Sequence, residues 1–360
     1  MGDFMQIEKL DKNFAVLNDG DGTEKAVYTI PHDKFDLYGI YYQEDEKRFR
    51  RIPKEIADNI SYNLSVLSTN TAGGRLRFAT DSNTIGLQVT YPFLAHMTHM
   101  PYTGCNGFML LEVTDKGFKY VNCFRPNFDE EKGFTQSVKV NGGVMKEYIL
   151  YFPLYNSVDS LKILLDAKAT VKNGKKYRDI KPVLYYGSSI TQGGCASRTD
   201  GAYQALISKW NNVDFINLGF SGGCKAEDIM VDYLCGLDVS LFVLDYDHNA
   251  PSVEYLKNTH YATYLKYRKA NPTTPILILS RPNIEGEKLN IERLKVIKET
   301  YVKAKKSGDK NVYFISGKQL FGKNDRENCT VDGCHPNDLG FYRIAKRIYK
   351  EFSRIDKRFL

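Results

Sequence analysis

The sequence has no run approaching the ~20 consecutive apolar residues that a membrane-spanning helix needs, so no such helix is expected. Its first residues, Met1-Gly2-Asp3-Phe4-Met5, lack the basic stretch followed by an apolar run that marks a secretory leader. A cytoplasmic protein is therefore expected, although a chain whose leader had been removed would read the same way. Cysteines number 7, an odd count in a chain of 360 residues, which argues against a disulfide framework. A strong excess of one charge is missing too. The formal net charge is +7, and the lysines are scattered, as at Lys175 and Lys176 and again at Lys303, Lys305 and Lys306. Solvated surface lysines explain this pattern, and no nucleic-acid motif accompanies it. Its weak field leaves only a mild attraction for acidic saccharides. Internal repeats and low-complexity tracts are also lacking. What is there is ordinary globular material, 42% hydrophobic and 26% charged, long enough for two domains at roughly 150 residues each.

Two halves differ in period. In the first, Leu76 and Phe78 alternate with Arg75 and Arg77, and Ile85, Leu87 and Val89 repeat the pattern after Asp81-Ser82-Asn83. Residues 110–113 and 118–121, joined by Thr114-Asp115-Lys116-Gly117, read as a hairpin. Residues 148–154 and 161–165 are further strands, with a short helix at 52–60. Short strands separated by turns predict an all-β sandwich or jelly roll over 1–175. The polar stretch Lys172-Asn173-Gly174-Lys175-Lys176 suits a connection. From there to residue 360, strands at 183–186, 215–218, 241–244, 276–279 and 312–315 alternate with helices. The last helix opens at Asn337, a good N-cap residue. This alternation predicts a three-layer α/β/α, doubly wound, five-stranded parallel sheet, with a site outside the carboxyl ends of the strands.

Four segments fall at that edge. Tyr186-Gly187-Ser188-Ser189-Ile190-Thr191-Gln192-Gly193 follows the first strand. A small-residue turn there presents a hydroxyl, and the helix start behind it supplies backbone N–H groups suited to an oxyanion. By pattern alone the same turn suits phosphate equally. Asp332-Gly333-Cys334-His335-Pro336 precedes the last helix. A hydroxyl nucleophile needs a base, and the base needs a carboxylate to fix its tautomer. Three-residue spacing lets one helical turn supply both; an ordinary capping loop is the plainer alternative. Between these segments lie Asn217-Leu218-Gly219-Phe220-Ser221-Gly222-Gly223 and Asp245-Tyr246-Asp247-His248-Asn249. The N–H of Gly222 and the amide of Asn249 are candidate donors to a carbonyl oxygen attacked by Ser189, unless they are simply turn and cap residues.

Ser189 in its glycine-flanked turn, Gly222, Asn249 and His335 resemble the four ordered blocks that name the SGNH hydrolases, also called GDSL esterases. The resemblance spans residues 181–355. It implies Ser189 as nucleophile and donor of its own N–H, Gly222 and Asn249 as the rest of the oxyanion hole, His335 as general base and acid, and Asp332 as its orienter. The family's Gly-Asp-Ser is here Gly187-Ser188-Ser189, and the third block, which usually carries a glycine before its asparagine, is here Tyr246-Asp247-His248-Asn249. Residues 99–111 resemble the region around the Gly-x-Asp-Leu-Tyr signature of a β domain that precedes some of these enzymes, with Met109 and Leu111 in place of aspartate and tyrosine. Enzymes of this build include carbohydrate esterases that remove acetyl groups, which implies a saccharide ester substrate.

Other signals read more blandly. His96 and His99, with Met97 and Met100, have a soft-metal flavour, but in a strand their rings would lie on opposite faces. His260 reads as a core histidine, and Arg198 and Arg281 as surface charge. Neither Cys195 nor Cys334 occupies the position that the turn presents. The expected function is hydrolysis of small acyl esters, most plausibly O-acetyl on a saccharide, without metal or organic cofactor. Acyl transfer or thioester hydrolysis on the same triad, and a carbohydrate-binding protein without catalysis, are the rivals. The partner expected is a small-molecule or oligosaccharide ester, with no nucleic acid and no membrane. The β half is left with walling the cleft or mediating contacts in a homo-oligomer.

Overall fold

Alternating apolar residues in the first half build two facing antiparallel sheets. The computed structural model describes residues 24–282 and 287–359; Met1–Met5, read above for a leader, lie outside them. One sheet has four strands in the order Lys25–Ile30, Ser160–Asp166, Thr84–Thr90, Gly133–Lys139. The other runs Val171–Asn173, Arg75–Thr80, Lys146–Tyr151, Phe108–Thr114, Gly117–Phe124, with Asp36–Tyr38 also paired to Arg75–Thr80. Leu76, Phe78, Leu110 and Leu150 from the second sheet share one core with Ile85, Leu87, Leu161 and Ile163 from the first. The predicted hairpin is present as Phe108–Thr114 paired with Gly117–Phe124. The polar stretch assigned to a connection instead begins inside a strand, since Val171–Asn173 pairs with Arg75–Thr80.

Over its central strands the second sheet is buried on both faces. Met109, Leu111, Ile149 and Tyr151 point away from the sandwich core and pack with Val183, Tyr185, Phe215 and Phe341 of the second half. Side chains alternate along a strand, so Phe108-Met109-Leu110-Leu111 must be apolar at every position. Met109 and Leu111, where the signature would carry aspartate and tyrosine, thus belong to a core common to both halves. Arg75 and Arg77 lie on that same face and are buried rather than solvated. The Arg75 guanidinium pairs with Asp214 and donates to Phe215 O at 3.0 Å, and Arg77 donates to Asn212 at 3.1 Å. Period-2 reasoning placed these arginines correctly off the sandwich core; a second layer of protein covers them.

The second half is a five-stranded parallel sheet in the order Phe215–Gly219, Val183–Gly187, Leu241–Asp245, Ile276–Leu279, Val312–Ile315. Tyr203–Asn211 and Asp338–Ile355 pack on one face. Asp228–Cys235, Val253–Ala270 and Lys288–Lys306 cover the other, giving three layers. Asn337 caps the last helix, its side chain accepting the Gly340 N–H at 3.1 Å. The second strand lies outside the first, so Val183–Gly187 is an interior strand flanked on both sides. Strand order reverses there, the place where open α/β sheets form ligand crevices.

Candidate active site

Ser189 begins a one-turn helix, Ser189–Gln192, directly after the interior strand. Ser188 caps it by accepting the Ile190 N–H. A Cβ on Gly187 would come within 2.0 Å of Thr191 Oγ1, so only glycine allows the chain to turn this tightly. Gly193 closes the turn in the left-handed region at φ 111°. Beneath it, Thr191 and Tyr203 donate to buried Asp245 at 2.8 and 3.1 Å. Burial pushes the Asp245 carboxyl up and the two hydroxyls oppose this, leaving it at about 7.

His335 meets Ser189 across the edge of the sheet. Ser189 Oγ lies 2.9 Å from His335 Nε2, and His335 Nδ1 lies 2.7 Å from Asp332 Oδ2. Asp332 Oδ1 also accepts the N–H groups of His335 at 2.7 Å and Cys334 at 3.0 Å. Burial works against the ionised Asp332, but these donors outweigh it and hold the carboxyl at about 2. The pair does not ride on a helical turn, as the spacing suggested. Residues 331–335 form a turn ahead of the helix, with Val331 N–H donating to His335 O at 2.9 Å. Pro336 explains this, because a residue before proline is driven out of helical geometry.

The two other predicted donors stand on neighbouring loops. Gly222 follows the second strand with φ +69°, and a Cβ there would meet open space. Ser221 N–H donates to Gln192 Oε1 at 3.0 Å, tying this loop to the Ser189 helix. Asn249 Oδ1 accepts the Cys224 N–H at 3.3 Å, joining the loops after the second and third strands. That bond occupies the carbonyl end of the amide, so the NH₂ end is the one available to an oxyanion. His248 Nε2 lies 3.4 Å from Cys334 Sγ, which seats His248 against the segment carrying His335. Burial, helped by the nearby Arg281, His335 and Arg293, lowers His248 to about 3, keeping its ring neutral. Burial likewise raises the Cys195 thiol to about 12 and pushes Cys334 up.

Several supporting residues gave no signal in the sequence. Tyr155 OH donates to Ser189 O at 3.0 Å. Gln192 Nε2 donates to Asn70 and to Leu154 O, each at 3.1 Å. The buried Arg51 guanidinium donates to the carbonyls of Asn217, Gly219 and Leu67 and stacks on Phe220. All come from, or reach, the β half, which therefore braces the Ser189 helix and the Gly222 loop. Of the other candidates, Arg281 lies beside the His248 loop, its backbone N–H donating to Asp247 at 2.9 Å and its guanidinium to Asn290, while Arg198 pairs with Asp200 and His260 is buried against Thr300 at 2.8 Å. The segment carrying His96 and His99, whose spacing was weighed as that of a β segment, is irregular between Pro92 and Pro101. His96 stacks on Tyr102, and the ring of His99 lies against His335 at 5.8 Å between centroids.

This reversed-order parallel sheet, with a serine at its switch point and an antiparallel β domain ahead of it, has the SGNH/GDSL hydrolase fold. Residues 180–353 match the GDSL-like Lipase/Acylhydrolase family, and residues 27–171 match the GxDLY domain, the N-terminus of SGNH-hydrolase-type esterases. The chain is a GDSL-like acylhydrolase with an N-terminal GxDLY domain. It is similar to a GDSL-like lipase from Bacteroides ovatus, at 28% identity and TM-score 0.82, covering 92% of this chain and 98% of that one. The fold is shared with the salicylyl-acyltransferase SsfX3 of a tetracycline biosynthetic pathway, at 17% identity and TM-score 0.77 over 92% and 97% of the two chains. It is shared more distantly with a family two carbohydrate esterase from Clostridium thermocellum in complex with cellohexaose, at 15% identity and TM-score 0.56 over 79% and 93%. No curated protein matches the chain.

Proposed function

We propose that this acylhydrolase is a serine esterase acting on small acyl esters, with O-acetyl groups on a saccharide as the favoured substrate class. The unbroken chain from Ser189 Oγ through His335 to Asp332, at 2.9 and 2.7 Å, carries the reading. Asp332 holds the proton of His335 on Nδ1, so Nε2 offers its lone pair to the Ser189 hydroxyl. Ser189 Oγ attacks the acyl carbonyl while His335 takes its proton. The N–H groups of Ser189 and Gly222 and the NH₂ of Asn249 receive the oxyanion. His335 then protonates the departing alcohol, and a water activated by the same ring releases the acid. The saccharide preference is supported by the cellohexaose-bound carbohydrate esterase, which shares the fold. Ser189→Ala is expected to reduce p-nitrophenyl acetate hydrolysis to background, and unchanged turnover would refute the assignment. Among acetylated oligosaccharides and p-nitrophenyl esters of increasing chain length, acetyl esters are expected to be cleaved best; a preference for long chains would overturn the substrate class.

A further inference from the structure

Beside the proposed base, His335, lie two side chains that catalysis does not use, His99 and Cys195. One ring nitrogen of His99, the Sγ of Cys195 and one ring nitrogen of His335 all lie within 4.8 Å of one another. They come from three separate segments: the irregular loop before Tyr102, the turn that follows the nucleophile helix, and the turn carrying Asp332. The loops are fastened together, since Cys195 Sγ donates to His99 O at 3.4 Å and the two imidazoles pack at 5.8 Å. We propose that His99, Cys195 and His335 form an inhibitory site for a borderline-soft divalent metal ion of the Zn²⁺ type. One thiolate and two imidazoles are a ligand set such ions favour, and three protein ligands leave a fourth position to water.

The chemistry of His335 makes the site inhibitory, and this part rests on the esterase reading. Its Nδ1 is held by Asp332 at 2.7 Å, so Nε2 is the atom available to a metal. A carboxylate behind a metal-bound histidine is the usual supporting partner. Nε2 is also the atom facing Ser189 Oγ at 2.9 Å, so metal and nucleophile compete for one lone pair. Zinc holds nitrogen at ~2.0–2.1 Å and sulfur at ~2.3 Å, so side-chain rotations must draw the three atoms inward from their present spread. On binding, the Cys195 thiol proton passes to solvent, the sulfur and two nitrogens each donate a lone pair, and nothing is oxidised.

The test uses the full chain, with Co²⁺ as spectroscopic probe and Zn²⁺ as inhibitor of p-nitrophenyl acetate hydrolysis. One Co²⁺ per chain should bind with a thiolate charge-transfer band. Cys195→Ser should abolish the band, His99→Ala should weaken binding by about tenfold or more, and Cys334→Ser should change neither. Zn²⁺ should inhibit the wild type reversibly, with activity restored by a chelator. Cys195→Ser and His99→Ala should hydrolyse normally without metal and resist Zn²⁺. The inference is overturned if no band forms, if it follows Cys334, or if both variants remain as Zn²⁺-sensitive as wild type. Should the chain hydrolyse no ester, the cobalt band alone still decides whether the site exists, separating this failure from that of the esterase reading.

Discussion

Asp332 uses both oxygens on three donors, and this concentration of hydrogen bonds keeps it ionised against its burial. A carboxyl whose folded pKa lies below its unfolded value contributes stability above the unfolded value and loses it as pH falls through the folded one. For Asp332 that window runs from the ordinary aspartate range down to about 2. The carboxylate therefore persists throughout the working range, and the acid limb of the activity profile should not belong to it. Asp332→Asn would keep the shape but reverse the tautomer of His335. We expect kcat to fall ~10³–10⁴-fold with little change in KM, read by steady-state kinetics. Asn249→Ala should cost ~10²–10³ in kcat, since one oxyanion donor is removed. An equal loss confined to KM would show that Asn249 binds the ground state instead.

At the scale of elements, apolar strands were readable and contact networks were not. The five parallel strands stand out as short apolar runs because both their faces are covered. The strands Lys25–Ile30 and Gly133–Lys139 were missed because they carry lysine, threonine, glutamine and serine on half-covered faces. Ser189, Gly222 and Asn249 were legible as candidates because they occupy turns after strands, where order along the chain predicts neighbourhood in space, and His335 because Asp332 and a capped helix flank it. Arg51, Tyr155 and Gln192 were not, because their contacts, such as Tyr155 to Ser189 and Gln192 to Asn70, obey no sequence period. Arg51→Met should leave the three carbonyls it serves without a donor and cost about 2 kcal/mol or more, measured by urea unfolding. Under the nucleophile turn, Asp245 behaves in the opposite sense to Asp332. Its folded pKa is raised to about 7, so the stability linked to its protonation is present below the unfolded value and lost as pH climbs through about 7. Asp245→Asn, which can accept from Thr191 and Tyr203 as the acid does, should widen its advantage in melting temperature over wild type across that interval. A difference independent of pH would contradict the assignment.

For the whole molecule, the decisive feature is that one β sheet serves two cores. Leu76, Leu110 and Leu150 fill the sandwich, while Met109, Leu111, Ile149 and Tyr151 fill the space under the helices of the catalytic half. The buried Arg75 binds across the same boundary to Asp214 and Phe215. A catalytic half expressed alone would expose this apolar face to water, at roughly 25 cal/mol per Å² of lost burial. We expect such a fragment to be insoluble or poorly folded, and the full chain to unfold in one calorimetric transition. Two separate transitions would show that the halves are coupled less tightly than this packing implies.

The proposed nucleophile can be read directly. The chain should be treated with a fluorophosphonate, digested, and the modified residue located by mass spectrometry. The account predicts a single phosphonyl adduct on Ser189, absent in Ser189→Ala and strongly slowed in His335→Ala. An adduct on another residue, or none on the folded wild-type chain, would contradict it.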